Sequence, residues 1–249
     1  SKELRLMQRY FVYFSYDGTG YHGWQIQPNG ISVQERLQDS LSKILRQKID
    51  VVGAGRTDTG VHARMMVAHF DYDEVIDGVQ LAFRLNRILP RDIGVYKVEP
   101  VDNEMHARFS AKWRTYHYYL HVRKDPFLRH YSLETHYELD FDIMNMAAKI
   151  IVEHEDFAAF CKTGADNKTT ICKVKECRWV QTSEYSWYFT ITANRFLRNM
   201  VRATVGTLLL LGRHKITLDE FKDILDNGNR SDAGESMPGN ALFLEDIEY

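Results

Sequence analysis

Gly53-Ala54-Gly55-Arg56-Thr57-Asp58-Thr59-Gly60-Val61-His62-Ala63 decides how the rest of this chain is read. It packs three glycines, one acid, one arginine and one histidine into eleven residues. A short apolar run, residues 49–52, leads in, and another, residues 65–70, leads out. The stretch therefore predicts a tight loop between two strands, with glycines where the backbone turns or approaches a neighbour. Asp58 sits at its centre, two residues after Arg56. A carboxylate so close to a guanidinium stays ionised at neutral pH. An ionised carboxylate on a rigid loop serves as a nucleophile or a base. The same residues also suit an Asx-type turn with a structural salt bridge, so the loop alone leaves both readings open.

Working outward, residues 9–16 alternate, with Tyr10, Val12, Phe14 and Tyr16 on one face, and predict a strand. Asp17-Gly18-Thr19-Gly20 ends it as a turn. Tyr21-His22-Gly23-Trp24-Gln25 then sets aromatics beside hydrogen-bonding side chains, a composition that suits base stacking or the cover of a sheet edge. Ser32-Val33-Gln34-Glu35 is a capping box, and Val33, Leu37, Leu41, Ile44 and Leu45 follow at helical spacing, so a helix spans residues 32–47. Beyond the Asp58 loop come a second helix over 79–89, stopped by Pro90, and a strand over 93–98. The order is β-α-β-β-α-β, the ferredoxin-like arrangement.

After Pro100 the order starts again. Residues 113–122 predict an aromatic strand, 141–152 a helix, 170–181 and 185–192 two strands joined by a tight turn. A helix over 196–211, an extra helix over 217–225 and a closing strand over 241–247 complete it. Asn194 is the expected cap of the 196–211 helix. Spacings of three and four put Arg195, Arg198 and Arg202 on one side of it, suited to gripping phosphates. The expected fold is α+β: two ferredoxin-like β-α-β-β-α-β halves around a central cleft, a mostly antiparallel sheet with helices on one face. The halves are expected to divide near residues 100–112, as domains 1–107 and 108–249.

With 249 residues, 44% hydrophobic, the chain is long enough for a packed core in one or two domains. Its net charge of -2 excludes a globally basic nucleic-acid binder, so an anionic polymer needs a local basic face. Cys161, Cys172 and Cys177 are odd in number and lack zinc spacing, which predicts reduced, dispensable thiols and no metal. No Rossmann glycine pattern, P-loop or paired histidine set is present, so no cofactor is implied. The opening from Ser1 carries no apolar signal-peptide core, and the apolar run 196–211 is too short for a membrane span. A cytoplasmic protein with no membrane contact is expected.

Several motifs carry a resemblance. Residues 55–63, Gly-Arg-Thr-Asp-Thr-Gly-Val-His-Ala, resemble the catalytic-aspartate motif of the bacterial tRNA pseudouridine synthase A family. Tyr16 to Gln25 resembles that family's N-terminal signature. Arg108-Phe109-Ser110-Ala111, Arg114-Thr115-Tyr116-His117-Tyr118 and Phe196-Leu197-Arg198-Asn199-Met200-Val201-Arg202 extend the likeness in order across nearly the whole chain. The resemblance implies an enzyme that isomerises uridine to pseudouridine at positions 38, 39 and 40 of the tRNA anticodon arm. It implies tRNA as partner, a homodimer and no cofactor. It makes Asp58 the catalytic carboxylate, attacking the sugar or the ring or removing a sugar proton. Tyr116 would stack on the target uracil, and Arg202 would orient Asp58. Arg56, His62, Tyr21, Trp24, Arg114, Arg195 and Arg198 would contact RNA, and Arg56, Arg114, Arg198 and Arg202 would converge on a basic cleft. In Met237-Pro238-Gly239-Asn240-Ala241-Leu242-Phe243-Leu244, Ala241 stands where the family pattern has glycine. The polar loop 162–168 either touches RNA or merely connects.

Two other readings compete. A non-catalytic RNA-binding module or RNA chaperone has no use for an ionised acid facing an anionic ligand. A glycoside hydrolase needs two carboxylates flanking one bond. The loop motifs supply Asp58 and, apart from it, only Asp17 in its turn.

Overall fold

The structure, a computed structural model, describes residues 6–249. The opening residues from Ser1 lie outside that range. Contacts group the described residues into two compact units, one running up to residue 112 and including 244–249, the other of residues 113–243.

The first unit runs β1 (Gln8–Tyr16), α1 (Val33–Leu45), β2 (Val52–Gly53), β3 (His62–Tyr72), α2 (Gly78–Ile88) and β4 (Ile93–Val101). β1 lies between β4 and β3, antiparallel to both, and β2 pairs antiparallel with β3. That order, 4-1-3-2, is what the ferredoxin-like element sequence calls for. Ser32 caps α1 by accepting from the Glu35 amide, and Asp77 caps α2 by accepting from Gln80. Phe14, Leu37, Leu41, Met66 and Leu85 are fully buried in its core, and Phe11 is buried beside His69 and Tyr249. A register shift between Phe14 and Tyr16 brings Tyr16 opposite Ala63, at the exit of the Asp58 loop. Such bulges re-aim a strand's last side chains.

The second unit runs β5 (Trp113–His121), β6 (Leu133–Glu134), α3 (Phe141–Glu153), β7 (Val174–Gln181), β8 (Ser186–Ala193), α4 (Met200–Gly212) and α5 (Leu218–Asn227). β8 sits between β5 and β7, antiparallel to both, while the two-residue β6 runs parallel to β5. Thr217 and Glu220 form a reciprocal capping box on α5. Tyr118, Phe157, Phe160, Phe189 and Phe221 are fully buried in its core. All three cysteines are free and buried. The final strand, β9 (Leu242–Glu248), starts in this unit and ends in the first. Among the described residues no helix is long and apolar enough to cross a membrane.

One element differs from expectation in a way that matters. The predicted 196–211 helix begins only at Met200. Asn199 has a left-handed backbone, φ 70°, which a helix cannot contain. Its side-chain amide donates to Ser236 Oγ instead of capping α4. Asn194 is no cap either: its Oδ1 accepts from the Lys173 amide at 2.8 Å. Arg195 and Arg198 therefore lie on the loop before α4, and the helical face that was to hold three arginines holds only Arg202 of them.

Candidate active site

The Asp58 loop is pinned on every side by the first unit. The Thr57 hydroxyl meets the Tyr16 hydroxyl at 2.7 Å in a buried contact. The Thr57 carbonyl accepts from the Trp24 amide at 3.3 Å. The Gly60 amide donates to Tyr21 O at 3.4 Å, and the Val61 amide closes the turn on Asp58 O at 3.1 Å. On the near side, the Ala54 amide donates to Val67 O at 2.9 Å. Thr57 and Val61 are buried on either side of Asp58, which is half-exposed, and Arg56 is exposed. The chain thus spends its backbone bonds on fixing the loop around a half-exposed Asp58.

Two glycines of the 16–25 segment explain why that segment must be there. Gly23 has φ +77°, and a Cβ on it would stand 2.4 Å from Thr57 O. A Cβ on Gly18 would stand 1.9 Å from Val61 O. Both glycines let backbone touch backbone where any other residue would push the loop away. The segment is a clamp on the Asp58 loop.

This corrects three expectations. Tyr21 is buried, its hydroxyl donating to Asp92 Oδ1 at 2.6 Å, and burial, then that carboxylate, push its pKa well up. Trp24 is 3% exposed, its indole lying over Gly53 and beside Phe14. Neither ring offers a face to a base. His62 is 1% exposed at the first position of β3, where its Nδ1 accepts from the Gly18 amide at 2.9 Å. Asp17 Oδ1 also lies 3.2 Å from that nitrogen. The Gly18 amide can only donate, so it takes the lone pair, and the ring carries its proton on Nε2. His62 latches the turn and does not reach outward.

In the second unit the expected residues lie along and beside β5. Arg114, Tyr116 and Tyr118 alternate onto one face of that strand, about 6.7 Å apart. Tyr118 is fully buried and donates to Pro238 O at 2.7 Å. Burial drives its phenol far up, partly opposed by the charge of Arg202. Arg202, in the first turn of α4, donates from Nε to Met237 O at 2.6 Å. The neighbouring carbonyls of Met237 and Pro238 so hold Arg202 and Tyr118 together. Tyr116 is half-exposed one step up the strand, its ring edge-on to Phe196 at 4.8 Å. The expected residues Tyr116, Arg114 and Arg202 are therefore gathered on one side of β5.

The remaining arginines divide. Arg114 Nη1 donates to Asn194 O at 2.9 Å. Arg195 Nη1 donates to Thr169 O and Ile171 O at 2.9 and 3.3 Å, which fixes a loop. Arg198 is exposed, and its carbonyl accepts from Lys162, tying the 162–168 loop to it. Ala241 needs no glycine: it sits in a helical turn without positive φ, fully buried. Among the described residues no group of three His, Cys, Asp or Glu side chains is placed to hold a metal.

Sequence reasoning missed the positioning groups. Nothing in the spelling of Tyr16, Gly23, Met237 or Pro238 says that a hydroxyl, a missing Cβ or two carbonyls hold the site. Phe196 lies inside the 196–202 motif, and its contact with the Tyr116 ring has no signature in the sequence.

The sequence pattern of the family described as tRNA pseudouridine synthase matches residues 12–110 and 147–249. The chain belongs to the tRNA pseudouridine synthase family. A tRNA pseudouridine synthase A of Bacteroides fragilis is 56% identical over 244 residues, covering 98% of this chain and 97% of the relative. One of Bacteroides thetaiotaomicron is 53% identical over 98% of this chain and 91% of the relative. One of a Thermoanaerobacter species is 40% identical over 98% and 100%. The family is one of isomerases that act on tRNA, and the non-catalytic RNA chaperone reading gives way to an enzyme.

Proposed function

We propose that this enzyme converts uridine to pseudouridine at positions 38, 39 and 40 of the tRNA anticodon arm, with Asp58 as its catalytic carboxylate. One observation carries the assignment to Asp58. Thr57 and Val61 on either side of it are buried, while Asp58 itself is half-exposed. A residue that served only the turn would not need that clamp.

The reaction is an isomerisation, so atoms balance without a co-reactant. The N1–C1′ bond breaks, the uracil turns, a C5–C1′ bond forms, the C5 proton leaves to solvent and the freed N1 takes up a proton, so the atom count is unchanged. Asp58 meets the sugar or the ring as a nucleophile, or takes a sugar proton. Tyr116 stacks on the uracil, with Phe196 bracing its ring. Arg202 supplies fixed positive charge that orients the carboxylate. Arg56 fills the space of the extruded nucleotide or binds its phosphate, since a base inside a stem must flip to react. Arg114 and Arg198 contribute to a basic surface, so tRNA affinity falls steeply with salt as counterions are released.

The working unit in this reading is a cytoplasmic homodimer. The half-exposed Leu209 and Leu210 of α4 open into an apolar cavity of about 680 Å³, a surface that a second copy would cover. Sedimentation equilibrium tests the dimer. Carbodiimide mapping of bulk tRNA after treatment with the protein tests the positions: stops at 38, 39 and 40 support the reading, and stops elsewhere overturn it.

A further inference from the structure

The segment joining β5 to β6 has no part in the machinery described so far. It carries Arg123, Lys124 and Arg129, all exposed, in a chain whose net charge is -2. Its one acid is Asp125, whose carboxylate accepts from the Phe127 amide at 2.8 Å. The Asp125 carbonyl accepts from Leu128, and the Leu128 carbonyl from Tyr131, so two successive turns give the loop a fixed shape. At its tip Phe127 is 91% exposed. Arg123 lies over the Tyr185 ring, 3.9 Å from its centroid. An ordered loop that presents a bare phenyl ring among cations is built for an occupant.

The base of the loop is anchored to the site. Asn240 donates to His130 O at 3.2 Å, and Tyr131 packs on Phe243 at 6.2 Å between ring centroids. Asn240 follows closely on Met237 and Pro238, whose carbonyls hold Arg202 and Tyr118. Along β5 the strand's end at His121 lies five residues, about 17 Å, beyond Tyr116. The loop therefore reaches the polymer next to the target, not the target base.

We propose that the 123–131 loop grips tRNA beside the target uridine, with Phe127 stacked on an unpaired base and Arg123, Lys124 and Arg129 on phosphates. The inference rests on the tRNA isomerase reading and adds a contact to it. Stacking on a phenyl ring is sequence-tolerant and flanking cations follow the backbone, the usual recipe for single-stranded nucleic acid. A second copy is a poor occupant, because a two-fold contact centred on this loop would oppose three cations to the same three.

The test measures tRNA affinity, salt dependence and sedimentation for the full chain. Phe127→Ala should weaken tRNA binding about tenfold without changing the melting temperature, and Phe127→Trp should restore it. Arg123→Gln, Lys124→Gln and Arg129→Gln together should lower the slope of log affinity against log salt by about 2. Val75→Ala, 98% exposed among Asp73, Glu74 and Asp77, should change nothing. Unaltered affinity in Phe127→Ala overturns the proposal, as does a loss of affinity that comes with a change of sedimentation. If the unaltered protein forms pseudouridine while Phe127→Ala binds normally, only the loop assignment falls. If it forms none, the isomerase reading falls instead.

Discussion

The hydroxyls of Tyr16 and Thr57 meet at 2.7 Å in the interior of the first unit, one residue from the carboxylate that the site presents. Tyr16→Phe strips Thr57 of a buried partner and should cost about 1–3 kcal/mol. Turnover should fall with it, in kcat more than in KM, because the loop loosens beside Asp58. Adding Thr57→Val removes the orphaned hydroxyl and should return most of the stability. A double-mutant cycle of melting and turnover reads both effects. Equal stability of Tyr16→Phe and the parent would show that the contact does not hold the loop.

Gly23→Ala tests the clamp more harshly. The left-handed φ of +77° costs about 1–2 kcal/mol for any L side chain, and the Cβ would stand 2.4 Å from Thr57 O. The variant should melt earlier and lose turnover beyond its loss of folded fraction, since the Trp24–Thr57 bond must stretch. Normal specific activity per folded molecule would contradict the clamp.

Arg202→Lys keeps the charge and deletes the Nε bond to Met237 O along with the planar fork. We expect kcat to drop about a hundredfold, the scale of losing one preorganised donor, with tRNA affinity little changed. Steady-state kinetics with bulk tRNA decide. A lysine variant with parental kcat would reduce Arg202 to a bystander charge.

Acid should weaken the first unit through His69. Burial, then the charges of Arg9 and His106, lower its pKa from 6.5 to about 4, although Asp71 pulls the other way. Its Nδ1 accepts from the Ala107 amide at 2.9 Å, a bond that needs the neutral ring. The unfolded chain thus takes up the proton first as pH falls. The stabilisation is complete above pH 6.5 and is lost between 6.5 and 4, at up to about 1.4 kcal/mol per pH unit. His69→Gln, which can accept the same bond, should flatten that part of the stability profile. Denaturant melts at successive pH values provide the comparison, and identical slopes would refute the role.

Much of this was legible from the sequence. Alternation and helical spacing placed both β-α-β-β-α-β series, because those patterns follow directly from which faces are buried. The Asp58 loop and the Tyr116 strand were also readable, since glycines and aromatics mark them. The start of α4 was not. Its apolar run begins at Phe196, but Asn199 is turned left-handed and tied to Ser236, a contact across thirty-seven positions. Tyr21, Trp24 and His62 were misjudged for the same kind of reason. An aromatic or a histidine that clamps a loop has the same spelling as one that touches a ligand, and only burial separates them.

The central claim is that Asp58 is the reacting carboxylate and not a turn residue. Its most direct test is tritium release from C5-labelled uridine in tRNA, measured for Asp58→Ala beside the parent at matched thermal stability. The account predicts no release above background, with tRNA binding kept or slightly improved as one negative charge leaves an anion site. Near-parental release from Asp58→Ala would contradict it.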